Sequence, residues 1–241
     1  MLISIMYHHV NSDRCSNDLS IFEEHLKYIK NNFKTIFPGE KVTQKSVCLT
    51  FDDAYADFYF LIFPLLKKYN LKALLAIPSK YILDDTEELP ENRMNFEHND
   101  LFENYKKATF CTYKELKQMQ ESGLVVFGSH SHSHVNLLED NVDLDLELRV
   151  SKEILEEKLN TKIESFVFPF GKYNQNILEK AKLYYKYNFR IGNAIHKDFS
   201  GINGAIYRVD GDGLKTADEI FKTTKLLKYK FKGLIKKLGK K

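Results

Sequence analysis

The chain has 241 residues, of which 43% are hydrophobic, 13% aromatic and 29% charged. This length suffices for one hydrophobic core and is below the size at which cores usually split, so we expect one folded domain and exclude disordered and collagen-like chains. The formal net charge of +3 is uneven: residues 225–241 carry eight lysines and no acid, and subtracting those eight charges leaves −5 for residues 1–224.

The composition also bears on compartment and partners. Three dispersed cysteines favour neither a disulfide framework nor a cysteine-based zinc site. The longest apolar run, residues 58–66, is too short to span a bilayer, and the first residues lack the basic segment of a secretion signal. We therefore expect a cytoplasmic protein. Because no aromatic-interleaved basic patch or zinc finger accompanies the basic end, we expect no nucleic-acid partner.

Short aliphatic runs alternate with longer amphipathic stretches, which is typical of βα units with parallel strands. The predicted strands are residues 2–8, 46–51, 73–77, 125–129, 165–168, 189–191 and 206–209. The predicted helices are residues 21–33, 55–69, 112–122, 144–159, 175–187 and 217–227. Thr112 and Glu115 form a capping-box pattern, and Asn174 is a predicted helix cap. Seven such strands predict an α/β barrel.

Residues 84–109 fit no regular element, because they are polar, acidic near their start and interrupted by Pro90. We interpret them as a long loop. Loops of this length in compact domains are usually functional or mobile, and in barrels they tend to shape the entrance for the substrate.

Three histidines follow the fourth predicted strand, within residues 128–134. If the chain turns there, His130 and His134 can present two imidazoles to one metal ion, while His132 points elsewhere or supports the site. The alternative is a polar loop in which histidine recurs by composition. The position favours a site, because functional groups of parallel barrels gather at the carboxyl ends of the strands.

Two adjacent carboxylates, Asp52 and Asp53, follow the second predicted strand. Neighbouring acids raise each other's pKa unless a cation or a hydrogen-bond donor separates their roles. One carboxylate would complete a ligand set of two histidines and one aspartate, and the other would stay free to accept a proton from water. Capping of the following helix is the simpler alternative for the pair alone.

A third strand end combines an apolar run with a rigid turn at residues 166–174. Pro169 has no amide hydrogen, so the next backbone donor is the N–H of Phe170, which could face a developing oxyanion. Phe170 and Tyr173 could line an apolar wall for a sugar ring or an acetyl methyl group. The alternative is a strand-to-helix turn with core aromatics.

Three motifs in order resemble the signature of the polysaccharide deacetylases, carbohydrate esterase family four with its NodB-homology domain. They are residues 50–53 (Thr-Phe-Asp-Asp), residues 130–134 (His-Ser-His-Ser-His) and residues 168–174 (Phe-Pro-Phe-Gly-Lys-Tyr-Asn). The resemblance covers residues 3–209. It implies a distorted (β/α) barrel with fewer than eight strands and a divalent metal, zinc in the first place and Co²⁺ or Ni²⁺ as alternatives. It also implies that Asp53, His130 and His134 hold the metal and that Asp52 is the base.

The chain departs from the family pattern in three places. Ala54 stands where glycine often follows the Asp pair, and we expect its Cβ to narrow the approach to the metal. The third motif lacks the arginine that orients the base, so we expect no guanidinium there for Asp52. The C-terminal Leu-x-His motif of the general acid is absent, since the last histidine is His196.

The first strand offers a substitute acid, because His8 lies at its end, while His9 would face the other way. This arrangement resembles the circularly permuted poly-N-acetylglucosamine deacetylases, whose acid histidine lies near the start. A carboxylate partner would keep His8 protonated, and Asp210 is the predicted partner, with a turn role as the alternative. His132, Asp210 and Arg208 are candidate supporting residues around the site.

The expected function is removal of acetate from an N-acetylated sugar in a glycan or a lipid-linked glycan precursor. The alternatives are a catalytically impaired carbohydrate-binding relative, a hydrolase of small-molecule amides, and a non-haem iron site, since two histidines and a carboxylate also describe the latter. The free carboxylate of Asp52 favours hydrolysis.

We divide the chain into a catalytic domain, residues 1–224, and a basic tail, residues 225–241. Helical spacing places five apolar side chains of the tail on one face, here called the apolar stripe: Leu227, Phe231, Leu234, Ile235 and Leu238. Lysines occupy much of the remainder. Such helices lie on anionic membranes, and contact with the inner face of the cell membrane is one expectation. The other is a helix packed on the barrel with its lysines in solvent.

Overall fold

A computed structural model describes residues 1–238 of the chain. Seven parallel strands form a closed barrel in the order β1-β10-β9-β8-β7-β6-β5, and β5 pairs back onto β1. The strands are β1 (Leu2–Tyr7), β5 (Ser46–Phe51), β6 (Ala73–Ile77), β7 (Val125–Ser129), β8 (Ser165–Val167), β9 (Tyr187–Ile191) and β10 (Ile206–Asp210). The predicted barrel and its seven strands are confirmed.

Three short strands lie beside the barrel. Strand β4 (Lys34–Thr35) extends the sheet next to β5, while β2 (His9–Val10) and β3 (Ser16–Asn17) pair with each other above β1. The closure runs along the full length of β1, from Leu2 opposite Ser46 to Tyr7 opposite Phe51. This register places the residues after Tyr7 and Phe51 next to each other at one end of the barrel.

Two apolar layers hold the barrel. Residues such as Leu74, Val167 and Phe189 fill its interior, whereas Leu49, Leu75 and Phe166 pack outward against the helices. Every residue of β1, β5 and β6 is buried, as expected of strands covered on both faces.

Seven helices surround the described barrel: α1 (Leu19–Asn32), α2 (Phe63–Tyr69), α3 (Pro90–Arg93), α4 (Tyr113–Glu121), α5 (Ser151–Leu159), α6 (Gln175–Tyr184) and α7 (Thr223–Leu238). The capping box of Thr112 and Glu115 is present at α4, and Asn174 caps α6 through the Ile177 amide. Two predicted helices, residues 55–69 and 144–159, contain a wider π-helical turn before the regular α-helix begins.

The predicted last helix was placed too early. Only a short 3₁₀ turn, Glu219–Phe221, lies in its first half, and α7 begins at Thr223 and runs across the predicted domain boundary at residue 224. The end of the predicted tail, residues 239–241, lies outside the described residues. No helix in residues 1–238 combines the length and apolar character that crossing a bilayer requires.

Helix α7 packs on the body through Tyr229 and Gly233, both buried. The side chains of the apolar stripe point away from the body and are between 51% and 71% exposed. The expectation of a helix packed on the barrel with its lysines in solvent thus holds for α7, but the packed face is that of Tyr229 and Gly233 and not the apolar stripe. Contact with a membrane stays a prediction.

Candidate active site

The carboxyl ends of five barrel strands gather a group of polar and aromatic side chains in one cavity of about 650 Å³. These side chains are His8 after β1, Asp52 and Asp53 after β5, His130 and His134 after β7, Phe170 after β8, and Arg208 and Asp212 in and after β10. Ends of parallel strands are where such barrels build sites, because the side chains there project beyond the packed interior.

Asp53, His130 and His134 converge so that their potential ligand atoms all lie within 4.8 Å of one another. Asp53 Oδ1 is 3.2 Å from His134 Nε2 and 3.5 Å from His130 Nε2. Tetrahedral zinc with bonds of about 2.0–2.2 Å requires ligand atoms about 3.3–3.5 Å apart. The spacing from Asp53 to each imidazole thus fits a small divalent cation.

The chemistry of these three groups also fits a cation. Asp53 Oδ1 is buried and has no hydrogen-bond partner among the described residues, which is costly for a carboxylate unless an ion binds it. His130 Nδ1 lies 2.8 Å from the carbonyl oxygen of Val167, so it donates its hydrogen there and leaves Nε2 free as a ligand. Burial lowers the pKa of His134 to about 4 despite the nearby charge of Asp53, which keeps its imidazole neutral.

The second carboxylate, Asp52, is held away from this group by Arg208. Two guanidinium nitrogens donate to its two oxygens, at 2.5 and 2.7 Å, and one of them also donates to Thr50 Oγ1 at 3.0 Å. Burial alone would raise the pKa of Asp52, but the charge of Arg208 and the hydrogen bonds that it donates hold the pKa well below its usual range. Asp52 is therefore ionised, and the Arg208 fork fixes the orientation of its two oxygens.

Arg208 corrects one expectation from the sequence. The third motif has no arginine, but a guanidinium reaches Asp52 from β10 instead. The available signal was an arginine between Tyr207 and Val209 on a predicted strand, because a guanidinium that faces a barrel interior requires a charged partner.

His8 lies on the other side of Asp52, with its Nε2 at 3.9 Å from Asp52 Oδ2. Its Nδ1 is 2.6 Å from Asp212 Oδ2, and its backbone N–H donates to Asp212 Oδ1. Burial alone would lower the pKa of His8, but the hydrogen bond to Asp212 and the charges of Asp52 and Asp53 raise it to about 10. The imidazolium is thus stabilised.

The prediction that Asp210 is the partner of His8 is wrong, because Asp212 is the carboxylate that contacts His8. Asp210 is exposed and lines the cavity, and it accepts a hydrogen bond from the Asp212 amide. The turn after β10 brings Asp212 towards His8 because Gly211 packs directly on Tyr7. A Cβ added at Gly211 would lie 2.4 Å from the Tyr7 ring. The Gly211 amide also donates to the Met6 carbonyl, which fixes this approach.

The turn after β5 is strained. Asp53 and Ala54 have φ angles of 73° and 58°, in the left-handed region that is unfavourable for residues with a Cβ. Ala54 is fully buried and is absent from the cavity lining, so its methyl group does not narrow the approach to the ligand group. The preference for glycine after the Asp pair is explained by backbone conformation rather than by access.

Of the remaining predicted site residues, Phe170 lines the cavity, whereas Tyr173 and His132 lie outside it. Phe170 lies at the cavity wall, 56% exposed, with its ring 4.8 Å from that of His134. Tyr173 lies outside the lining, since its ring packs on Phe168. His132 points away and contacts the Ser79 hydroxyl at 3.0 Å. The predicted role of the Phe170 amide remains a prediction.

The long segment at residues 84–109 contains α3 and two 3₁₀ turns, His98–Asp100 and Tyr105–Lys107, rather than an open loop. Its residues His98, Asn99 and Phe102 line the cavity, and the Phe102 ring stacks on His134 at 4.8 Å. These contacts could not be located from the sequence, because no periodic pattern identifies them.

A model of the polysaccharide deacetylase family matches residues 39–187 of this chain. Among curated proteins, YxkH of Bacillus subtilis, named as a polysaccharide deacetylase, is 26% identical over 193 residues, which is 74% of this chain and 60% of the relative. The poly-β-1,6-N-acetyl-D-glucosamine N-deacetylase of Staphylococcus aureus is 24% identical, covering 71% of this chain and 60% of the relative. The chain thus spans about 60% of the length of these curated relatives.

Two solved structures share the fold. The Streptococcus pyogenes deacetylase PplD, solved with acetate, superposes with a TM-score of 0.71 at 23% identity, covering 92% of this chain and 96% of PplD. IcaB from Ammonifex degensii superposes with a TM-score of 0.68 at 20% identity, covering 86% of this chain and 90% of IcaB.

Proposed function

Because the chain belongs to the polysaccharide deacetylase family, we propose that it is a metal-dependent N-deacetylase that removes acetate from an N-acetylated sugar of a glycan. The observation that carries the proposal is the division of labour between two adjacent acids. Asp53 joins two imidazoles in a group suited to a cation, while Arg208 retains Asp52 as a free base. A site that only binds sugar requires neither feature.

The proposed metal is zinc, held by Asp53, His130 and His134, with Co²⁺ or Ni²⁺ able to use the same ligands. When bound, such a cation lowers the pKa of a water molecule and polarises the acetamide carbonyl group. Asp52 would accept the proton of the attacking water, and the Arg208 fork would keep its oxygens oriented.

The leaving amine needs a proton, and we assign its delivery to His8. Asp212 holds the Nδ1 side of the ring, so Nε2 is the atom available to the substrate. Transfer from Nε2 to the amide nitrogen allows the C–N bond to break, which releases acetate and a free amine on the sugar. The Phe170 ring at the cavity wall would contact the sugar or the acetyl methyl group.

The substrate that we propose is a polymer containing N-acetylglucosamine, supported by the named activity of the Staphylococcus aureus relative. A cavity of about 650 Å³ that opens to solvent suits a sugar residue within a longer chain. We further propose that a lipid-linked precursor can be the substrate. We also propose that residues 225–241 contact an anionic membrane and that the protein lies in the cytoplasm at the inner face of the membrane.

The test is an acetate-release assay with zinc-reconstituted protein on three substrates: β-1,6-linked N-acetylglucosamine oligomers, β-1,4-linked oligomers, and N-acetyl amides without a sugar. We expect acetate and an equal amount of new amine from at least one oligomer. Oligomer binding without acetate release would overturn the proposal in favour of a carbohydrate-binding relative. Acetate release from the sugar-free amides alone would favour a small-molecule amidase.

A further inference from the structure

Helix α7 presents an apolar surface to solvent on the side opposite to its contact with the body. The buried residues of the helix are Tyr229 and Gly233, and Gly233 lies against Ala194 and Ile202. The apolar stripe lies about half a turn away around the helix, at a mean angle of roughly 165° from that contact at 3.6 residues per turn. Its five side chains are among the most exposed large apolar groups in the described residues.

Lysines border the apolar stripe on both sides. Lys228 and Lys232 lie along one edge, and Lys230 and Lys237 lie along the other. Residues 225–241 contain no acid, but Lys228 and Lys232 share a groove with Asp210, Asp212 and Glu219 of the body. An apolar stripe between two rows of lysines is the pattern of a helix that lies flat in the interface of an anionic bilayer.

From this arrangement we infer that α7 binds an anionic lipid surface through the apolar stripe. The charge complementarity selects this partner, because the lysines match lipid phosphates at the depth where the apolar side chains enter the acyl region. An apolar partner protein would gain nothing from the two lysine rows.

The same helix borders the candidate active site. A groove of about 270 Å³ between α7 and the body is lined by Lys225, Lys228 and Lys232 on the helix side. Asp210 and Asp212 line both this groove and the active-site cavity, so the two spaces adjoin. A membrane bound at the apolar stripe would lie on the far side of α7 from this groove, at a distance of one helix diameter, roughly 10–12 Å.

This placement narrows the substrate class and rests on the proposed deacetylase function. The enzyme would act on N-acetylated glycans held close to a bilayer, such as a sugar attached to a lipid carrier.

The experiment combines vesicle co-sedimentation with two double variants and one control, all in the full chain. Phe231→Asp with Leu234→Asp disrupts the apolar stripe, and Lys230→Glu with Lys237→Glu reverses the lysine row away from the groove. Leu183→Asp is the control, because Leu183 is an equally exposed leucine, at 76%, on α6. Vesicles contain phosphatidylcholine alone or mixed with phosphatidylglycerol.

We expect the wild type and Leu183→Asp to bind the anionic vesicles, and both double variants to lose about tenfold or more in affinity. Equal sedimentation of all proteins, or none with the wild type, would overturn the inference. So would a dimer in light scattering that only the apolar double variant disrupts, because the stripe would then bind a second copy of the chain.

Vesicle binding needs no catalysis, so it stays informative even if acetate release fails. For the coupled claim, we expect all variants to deacetylate soluble oligomers equally. Only the double variants should lose turnover on a vesicle-anchored N-acetylglucosamine lipid. Equal turnover on the anchored substrate would refute the link between membrane and active site while leaving deacetylation intact.

Discussion

Two acids that are neighbours in sequence, Asp52 and Asp53, have different surroundings within a few ångströms. Asp53 faces two imidazoles, and Asp52 faces a guanidinium and a histidine with a raised pKa. Like charges so close would normally push one pKa upward. Here both pKa values are lowered despite burial, because each carboxylate has its own cationic or imidazole partners.

This division predicts that substitutions of the two acids have different effects on zinc binding and turnover. Asp53→Asn should lose zinc and acetate release together, because it removes a ligand. Asp52→Asn and His8→Ala should retain zinc and lose turnover by about two to four orders of magnitude, the usual contribution of general acid–base catalysis. Zinc per protein chain, measured by plasma mass spectrometry after dialysis, and acetate release are the two readouts. An Asp52→Asn protein without zinc would make Asp52 a ligand instead.

The hydrogen bond between His8 and Asp212 predicts a change in pH dependence. As a general acid, His8 is active below its pKa, and Asp212 raises that pKa. Asp212→Asn keeps the shape of the side chain but removes its charge, so the pKa of His8 falls. The alkaline limb of the pH profile of turnover should therefore move to lower pH by about one unit or more.

Asp210→Asn is the matched control, since Asp210 lines the same cavity without contacting His8. Its alkaline limb should stay close to that of the wild type. A shift with Asp210→Asn and none with Asp212→Asn would contradict the assignment made from the structure.

At the scale of elements, a buried ion pair ties residues 84–109 to α4. Arg93 on α3 is 2% exposed and donates to both carboxylate oxygens of Glu115 on α4, at 2.6 and 2.9 Å. It also donates to the carbonyl oxygens of Ala108 and Phe110. This anchor holds the segment that supplies three cavity residues.

Glu115→Gln should therefore destabilise the fold by about 3 kcal/mol, because it leaves a buried guanidinium without its counter-charge. It should also raise KM by loosening the cavity wall. Lys114→Gln is the control, since Lys114 forms an exposed ion pair with Asp85 in the same region and should change little. Urea unfolding and substrate titration provide the measurements. Equal stability of the two variants would contradict the anchoring role.

Elements also show what could be predicted from the sequence. The seven strands and the Thr112 cap follow from local patterns, whereas the grouping of Asp53, His130 and His134 was implied by the family resemblance of the motifs. The roles of Arg208 and Asp212 depend on which strands become neighbours across the closed barrel, and spacing along the chain does not contain that information. The orientation of α7 was also open, because the stripe alone does not say whether it faces the barrel or solvent.

For the whole molecule, closure of β1 onto β5 is the feature that assembles the site. It brings the first strand, with His8, beside the strand that ends in Asp52 and Asp53. β10, on the other side of β1, adds Arg208 and Asp212. The acid, the base and the cation ligands lie between residues 8 and 134, and their supporting residues Arg208 and Asp212 come from about 200 residues after His8. Closure of the barrel brings all of them within reach of one substrate.

The most direct test of the account is anomalous X-ray diffraction at the zinc absorption edge, on crystals of the protein with one equivalent of zinc. We predict a single strong peak within about 2.0–2.2 Å of Asp53, His130 and His134, with Asp52 still paired to Arg208. A peak at another position, or a zinc ion that draws Asp52 from Arg208 into its coordination, would contradict the division between ligand and base.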